Sequence, residues 1–237
     1  MKNNVIGIIG AMDCEVSGIV ENMTDVKTHN IGGMIFYTGN IGERDVVVSK
    51  CGVGKVFAAM CAQAMIISFS PSLIINTGIA GTLNPAVGVL GMVIGKRVAQ
   101  HDFDTSAIDG CPRGYFSWND SVFTNCDENM MNTLFDMSKE LEINAVCGTI
   151  VSGDEFIADS AKKQWLRDNF SADACEMEGA SIGQVCAYNG VPFCVVRTIS
   201  DGGDDSASMD YPTFADLAAK QSVKFIVRSV SALAEGI

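Results

Sequence analysis

Val195-Val196-Arg197-Thr198-Ile199-Ser200-Asp201 is an apolar run that ends in three polar residues of different chemistry. Such a run suits a strand buried on both faces, as in sheets covered by helices. Just upstream lies Cys175-Glu176-Met177-Glu178-Gly179-Ala180, with two carboxylates and a thioether where a helix is expected to begin. Strand edges that face helix starts are where open α/β sheets assemble their sites. Carboxylates are also common at helix N-termini for electrostatic reasons alone, so Glu176 and Glu178 admit either reading at this point.

Working outward, the same alternation recurs. Residues 5–10 (VIGIIG) and 73–81 (LIINTGIAG) read as buried strands, and 34–38 and 45–50 as two strands joined at Gly39-Asn40-Ile41-Gly42. A helix rich in Ala and Met is expected over 56–69, and others over 127–141, 159–169 and 178–189. The apolar stretch 87–98 and the runs 144–153 and 192–200 read as further strands. Thr213 is the expected cap of a last helix reaching 234, after an acidic loop over 201–206. Residues 105–119, with Gly110, Pro112, Gly114 and three aromatics, read as an ordered loop. With no long linker, repeat or low-complexity tract, residues 1–237 are expected to form one three-layer domain on a mostly parallel sheet.

Composition narrows the function classes. Hydrophobic residues make up 48% and charged residues 19%, with no apolar run long enough for a membrane span of about eighteen residues or more. Sixteen Lys and Arg against 28 Asp and Glu leave a net charge of −12, which repels nucleic acid and anionic lipid. The nine cysteines sit mostly among apolar residues and form no CxxC pair, the usage of a reduced cytosol. A cytoplasmic protein without nucleic-acid or membrane partners is expected.

Three local patterns invite functional readings. Gly52-Val53-Gly54-Lys55 is like a phosphate loop, but Ser49 and Val56 stand where that motif needs Gly and Ser or Thr. Its glycines are better suited to close backbone approach. His101, Asp102 and Asp104 are metal-ligand types, yet only two histidines exist in the chain, and a structural loop is the better reading. Asp13 is placed to cap a helix carrying Glu15, whose bland reading is a dipole-favoured surface acid.

The motifs IGIIGAMDCEV (6–16), CGVGK (51–55), PSLIINTGIAG (71–81), VSGDEFI (151–157), CEMEGASIGQVC (175–186) and VPFCVVRTISD (191–201) together resemble one family. It is that of the 5′-methylthioadenosine/S-adenosylhomocysteine nucleosidases, hydrolytic members of the nucleoside phosphorylase superfamily. The resemblance implies an α/β fold, a three-layer α/β/α sandwich around a mixed, partly barrel-like sheet, and a homodimer that needs no metal or cofactor. It implies hydrolysis of the N-glycosidic bond of 5′-methylthioadenosine and S-adenosylhomocysteine, with 5′-deoxyadenosine as a further substrate, in methionine salvage.

By the same resemblance, Asp201 protonates adenine N7 with Ser200 beside it, and Glu15 is the general base for water. Arg197 helps hold that water and balances the carboxylates. Glu178 accepts the ribose 2′ and 3′ hydroxyls, while Met177 packs on the sugar and Glu176 belongs to the same clamp. Phe156 stacks on adenine as the Ile157 backbone reads the base edge. Ala11, Val53, Ile79, Ala80 and Gly81 line the pocket, and Tyr211 covers the alkylthio end. Two departures stand out: Ile79 replaces a small polar Ser of several relatives, and the stretch after His101-Asp102 is shorter than in familiar members. Rival readings are a phosphorylase on the same fold, a nucleosidase for a futalosine-type nucleoside, and a noncatalytic nucleoside sensor. The phosphorylase reading lacks an Arg after the first strand, where Asp13 and Glu15 would repel phosphate.

Overall fold

A computed structural model describes residues 4–201 and 207–233. The first apolar run forms β1 (Ile6–Gly10), buried at every position, and Met12 rather than Asp13 is the N-cap of α1 (Asp13–Glu21). Asp13 is instead the first helical residue, free to pair with Lys50 at 2.9 Å. A meander follows: β2 (Thr24–Ile31), β3 (Met34–Ile41) and β4 (Arg44–Lys50). β2 has no reading in the sequence because TDVKTHNI is almost wholly exposed and pairs on one side only, with β3. An edge strand of this kind carries polar and charged side chains in place of alternation.

Helix α2 (Lys55–Phe69) leads to β5 (Leu73–Thr82) and β6 (Met92–Gln100). Then come α3 (Ser106–Asp109), β7 (Thr124–Asn125), α4 (Glu128–Glu140), β8 (Ala145–Ser152) and α5 (Ser160–Phe170). The chain continues through β9 (Ala172–Glu176), α6 (Gly179–Tyr188), β10 (Phe193–Asp201) and α7 (Ala207–Leu233). α7 starts well before Thr213, so that residue is not its cap; the expected acidic loop at 202–206 lies outside the described residues.

The sheet order is β10-β6-β8-β9-β5-β1-β4-β3-β2, and β10 also pairs with β5. That extra pairing closes β5, β10, β6, β8 and β9 into a barrel, while β1 to β4 extend from it as an open wing. Among the described residues, as many strand pairings are antiparallel as parallel. The mostly parallel sheet expected from the apolar runs is therefore corrected to the mixed one that the resemblance implies. Burial on both faces makes the runs apolar whichever way the neighbours point. α1 and α4 both pack against α7, and α2 packs against α6.

Gly81 is where the barrel closes: it registers with Asp201 of β10 and with Cys175 of β9. A Cβ there would lie 3.0 Å from Asp201 Oδ1, so a side chain would crowd the carboxylate. The closure thus brings the ends of β5, β9 and β10 to one point, and it is at such strand ends that sites of α/β folds sit.

Candidate active site

A cavity of about 90 Å³ lies at this closure. It is lined by Ala11, Met12, Glu15, Val53, Ile79, Ala80, Gly81, Phe156, Cys175, Glu176, Met177, Glu178, Ser200 and Asp201. A larger groove of about 660 Å³ runs between α1, β3 and α2. Its acids, Asp13 and Glu21, are exposed and face solvent, so the chemistry belongs to the smaller cavity.

Glu15 is 3% exposed, against the surface reading its sequence position favours in isolation. Its Oε2 accepts from the backbone N–H of Ala11 (2.7 Å) and Met12 (2.9 Å), and its Oε1 from the N–H of Ile79 (3.0 Å). Folding back onto the turn before α1 uses N–H groups that a helix start leaves unsatisfied. Burial raises the Glu15 pKa above the usual carboxylate value, opposed by Arg197 and these N–H groups. A carboxyl group shifted this way is a better base near neutral pH. Space for it depends on Gly78, where an added Cβ would stand 2.6 Å from Oε1. The departure at Ile79 therefore leaves Glu15 its backbone donor, since that contact needs no particular side chain.

Glu176 and Glu178 do not share a helix start. Glu176 ends β9, and Glu178 is the N-cap residue of α6. The difference decides their work. Glu176 Oε1 accepts from the Ser152 hydroxyl, and Oε2 from the N–H of Glu178 (3.1 Å), the N–H of Gly179 (2.8 Å) and Arg197 Nη2. With both oxygens occupied by the protein, it acts as a support although it borders the cavity.

Glu178 has one described donor, the N–H of Gly54 at 2.9 Å on Oε1. Gly54 sits at φ +101°, a conformation side chains rarely adopt, which accounts for glycine in CGVGK. Burial, then repulsion from Glu176, pushes the Glu178 pKa up to about 7, against the pull of Arg197.

Arg197 is 1% exposed and does not line the cavity. Its Nη2 also donates to Asn76 Oδ1 at 2.6 Å and lies 3.8 Å from Glu178 Oε2. Burial disfavours its charge, but Glu176, Glu178 and Glu15 more than compensate and its pKa is raised. Arg197 therefore lies beside Glu176 and Glu178 rather than on the cavity wall.

Asp201 is 1% exposed, its Oδ2 accepting from the Ser200 hydroxyl at 3.3 Å. Phe156 is half exposed at the cavity mouth. Ile157 does not line the cavity; its buried side chain belongs to a cluster with Leu83, Val151 and Leu166. Tyr211 falls within α7, but its side chain lies outside the described residues.

Asp102 pairs with Lys55 at 2.5 Å and accepts from the N–H of Asp154, while Asp104 pairs with Arg113. Asp102 thus ties the start of α2 to the backbone at Asp154, and Asp104 braces the stretch that holds Arg113. Among the described residues no group of three His, Cys, Asp or Glu is placed to hold a metal ion.

Sequence reasoning missed Asn76, Ser152 and Lys163. Asn76 is a buried amide inside an apolar strand, and that incongruity is its signal. Lys163 shares the apolar face of α5 with Leu166 and Phe170, at spacings of three and four, yet is fully buried. A cation on an apolar stripe is the corresponding clue.

The Phosphorylase superfamily profile matches residues 5–231. The chain belongs to the phosphorylase superfamily. It is 34% identical to the aminodeoxyfutalosine nucleosidase of Campylobacter jejuni over 94% of this chain and 96% of that protein. The futalosine hydrolase of Helicobacter pylori superposes with a TM-score of 0.91 at 33% identity, covering 97% of each chain. The 5′-methylthioadenosine/S-adenosylhomocysteine nucleosidase of Helicobacter pylori gives 0.92 at 32%, covering 98% of this chain and 99% of the other. In this superfamily member the barrel and its wing form one mixed sheet. Among the described residues no helix is long and apolar enough to cross a membrane.

Proposed function

We propose that this nucleosidase of the phosphorylase superfamily hydrolyses the N-glycosidic bond of 5′-methylthioadenosine and S-adenosylhomocysteine, releasing adenine. The observation that carries the reading is the convergence of Glu15, Glu178 and Asp201 on one small cavity. Water attacks C1′ as Glu15 takes its proton; the electron pair of the C1′–N9 bond moves into the purine, and Asp201 delivers a proton to N7. Glu178 holds the ribose hydroxyls, with Met177 against the sugar and Phe156 over the base. Arg197 and Glu176 position Glu178 and offset its charge.

An aminodeoxyfutalosine-type nucleoside is the second reading, favoured by the Campylobacter jejuni relative. Both substrates would use the same acids and differ only at the 5′ end. Adenine release should be followed by chromatography in phosphate-free buffer with each nucleoside offered separately. Release from a methylthio or homocysteinyl substrate supports the first reading; release from the futalosine derivative alone supports the second. A strict requirement for inorganic phosphate, with ribose 1-phosphate formed, would overturn hydrolysis.

Glu178→Gln should narrow the preference for a ribose over a 2′-deoxyribose substrate by about tenfold or more. A carboxylate bonding two hydroxyls makes charge-assisted contacts about twice as strong as neutral ones. Because Glu178 is held up at about 7 by burial and Glu176, it is protonated below that pH. Wild-type kcat/KM should fall as pH drops below 7, and the mutant should keep only the acid limb set by Glu15. An unchanged sugar preference would remove the clamp assignment.

Gly78→Ala tests the base from the other side, since its Cβ would press on Glu15 at 2.6 Å. A displacement on the order of 1 Å can cost about 10²-fold, so kcat should drop by that order while the thermal midpoint moves modestly. Wild-type turnover in the folded variant would show that Glu15 tolerates displacement.

The protein is further proposed to be a cytoplasmic homodimer. Val53, Val56, Phe57, Met60 and Ile67, on and just before α2, are all about half exposed or more, an apolar face of the kind that subunit contacts cover. Light scattering that gave a monomer at micromolar concentration would remove that part.

A further inference from the structure

Lys163 is a fully buried lysine whose Nζ lies 3.5 Å from Asp201 Oδ1, and Asp201 is itself 1% exposed. Burying either charge without a partner is costly, and these two lie within ion-pair distance of each other. Lys163 reaches the carboxylate from the apolar face of α5, behind the wall of the cavity, and does not line the cavity itself.

We propose that Lys163 is a positioning residue that orients Asp201 and holds it ionised before substrate binds, so that the proton given to the leaving base is taken up as the ligand arrives. This rests on the reading of Asp201 as the acid. One proton from solvent then sits between the Asp201 carboxylate and purine N7. When the C1′–N9 bond breaks and its electron pair enters the purine, the proton stays on N7 and Asp201 returns to its carboxylate, paired with Lys163.

The described groups around the pair fit this division of charge. From β9, Cys175 faces both Lys163 and Asp201, and burial pushes its thiol up to about 12, leaving it neutral. Glu176, also of β9, is committed to Arg197 and the start of α6. Glu15, reaching the cavity from α1, is held by backbone N–H groups. On α5 and its cap, Asp159 accepts from the N–H of Lys162, Lys162 pairs with Glu155, and Arg167 donates to Gln164 and the Leu83 carbonyl. Among these described groups, Lys163 is a cation at ion-pair distance from Asp201.

Calorimetric titration with a nonhydrolysable carbocyclic analogue of the nucleoside, whose N7 carries no proton, reads the proton directly at pH 8.5 in buffers of differing ionisation enthalpy. The wild type should take up about one proton per site. Lys163→Met should reduce uptake to near none, because a buried carboxylate without its cation is already protonated. Its alkaline limb in kcat/KM should also move up by about one pH unit or more, while Lys163→Arg keeps wild-type behaviour in both measurements. Lys163→Gln serves where the Met variant does not fold. Wild-type uptake and an unmoved limb in a folded Met or Gln variant would overturn the proposal.

Asp201→Asn separates the two levels. If that variant loses activity only with poor leaving groups while the Lys163 variants change nothing, the Lys163 assignment alone fails. If it loses equally on good and poor leaving groups while Lys163→Met still abolishes uptake, the acid assignment fails and the charge pairing stands.

Discussion

Asp201→Asn is expected to lower kcat by about 10²-fold or more while leaving KM within a few-fold, since general acid catalysis typically contributes 10²–10⁴. Adenine leaves poorly as an anion and readily once N7 carries a proton, so the acid matters most at bond breaking. Asp201 ends β10 at the barrel closure, buried beside Gly81 and Ser200. Asn keeps the shape and can donate a hydrogen bond, but it has no acidic proton to give. The measurement is a pair of substrates on the same sugar, one releasing adenine and one releasing p-nitrophenol, which needs no protonation. The mutant should recover a large part of its lost rate on the second. Equal losses on both would make Asp201 a ligand-positioning group.

The second large effect is expected at Glu15. Glu15→Gln should reduce turnover by about 10²-fold or more and leave the affinity for adenine or a nonhydrolysable analogue largely intact. Gln can still accept from the Ile79 N–H through its amide oxygen, but its NH₂ group cannot accept from Ala11 and Met12, so some local shift accompanies the change. Steady-state kinetics and calorimetry on the same preparation separate the two effects. Retention of more than about a tenth of wild-type turnover would exclude an essential base. Loss of inhibitor binding in parallel would instead point to disruption of the turn before α1. The raised pKa of Glu15 also sets a sign: the base is increasingly protonated as pH falls, so hydrolysis should decline toward acid earlier than for an ordinary carboxylate.

Much of this was legible in the chain itself. The apolar runs ending in small or polar residues locate the strands whose ends build the cavity, because burial on both faces demands continuous hydrophobicity. The family motifs likewise pick out the residues that line it: Glu15, Ile79, Gly81, Phe156, Met177, Glu178 and Asp201 all border the same cavity. Strand direction was not legible. Burial is blind to whether a neighbour runs parallel or antiparallel, and the edge strand β2 is too exposed to carry a pattern at all.

Nor could the sequence say which of several similar acids does what. Glu176 and Glu178 are two residues apart, yet one ends a strand with its oxygens fully bonded and the other turns toward the cavity. Arg197 and Lys163 are charges in apolar surroundings, and only the tertiary structure supplies the partners that make their burial tolerable. Local sequence determines which segments must leave water. Which charges then face each other depends on the register in which β5, β9 and β10 close at Gly81, and that is decided by long-range pairing.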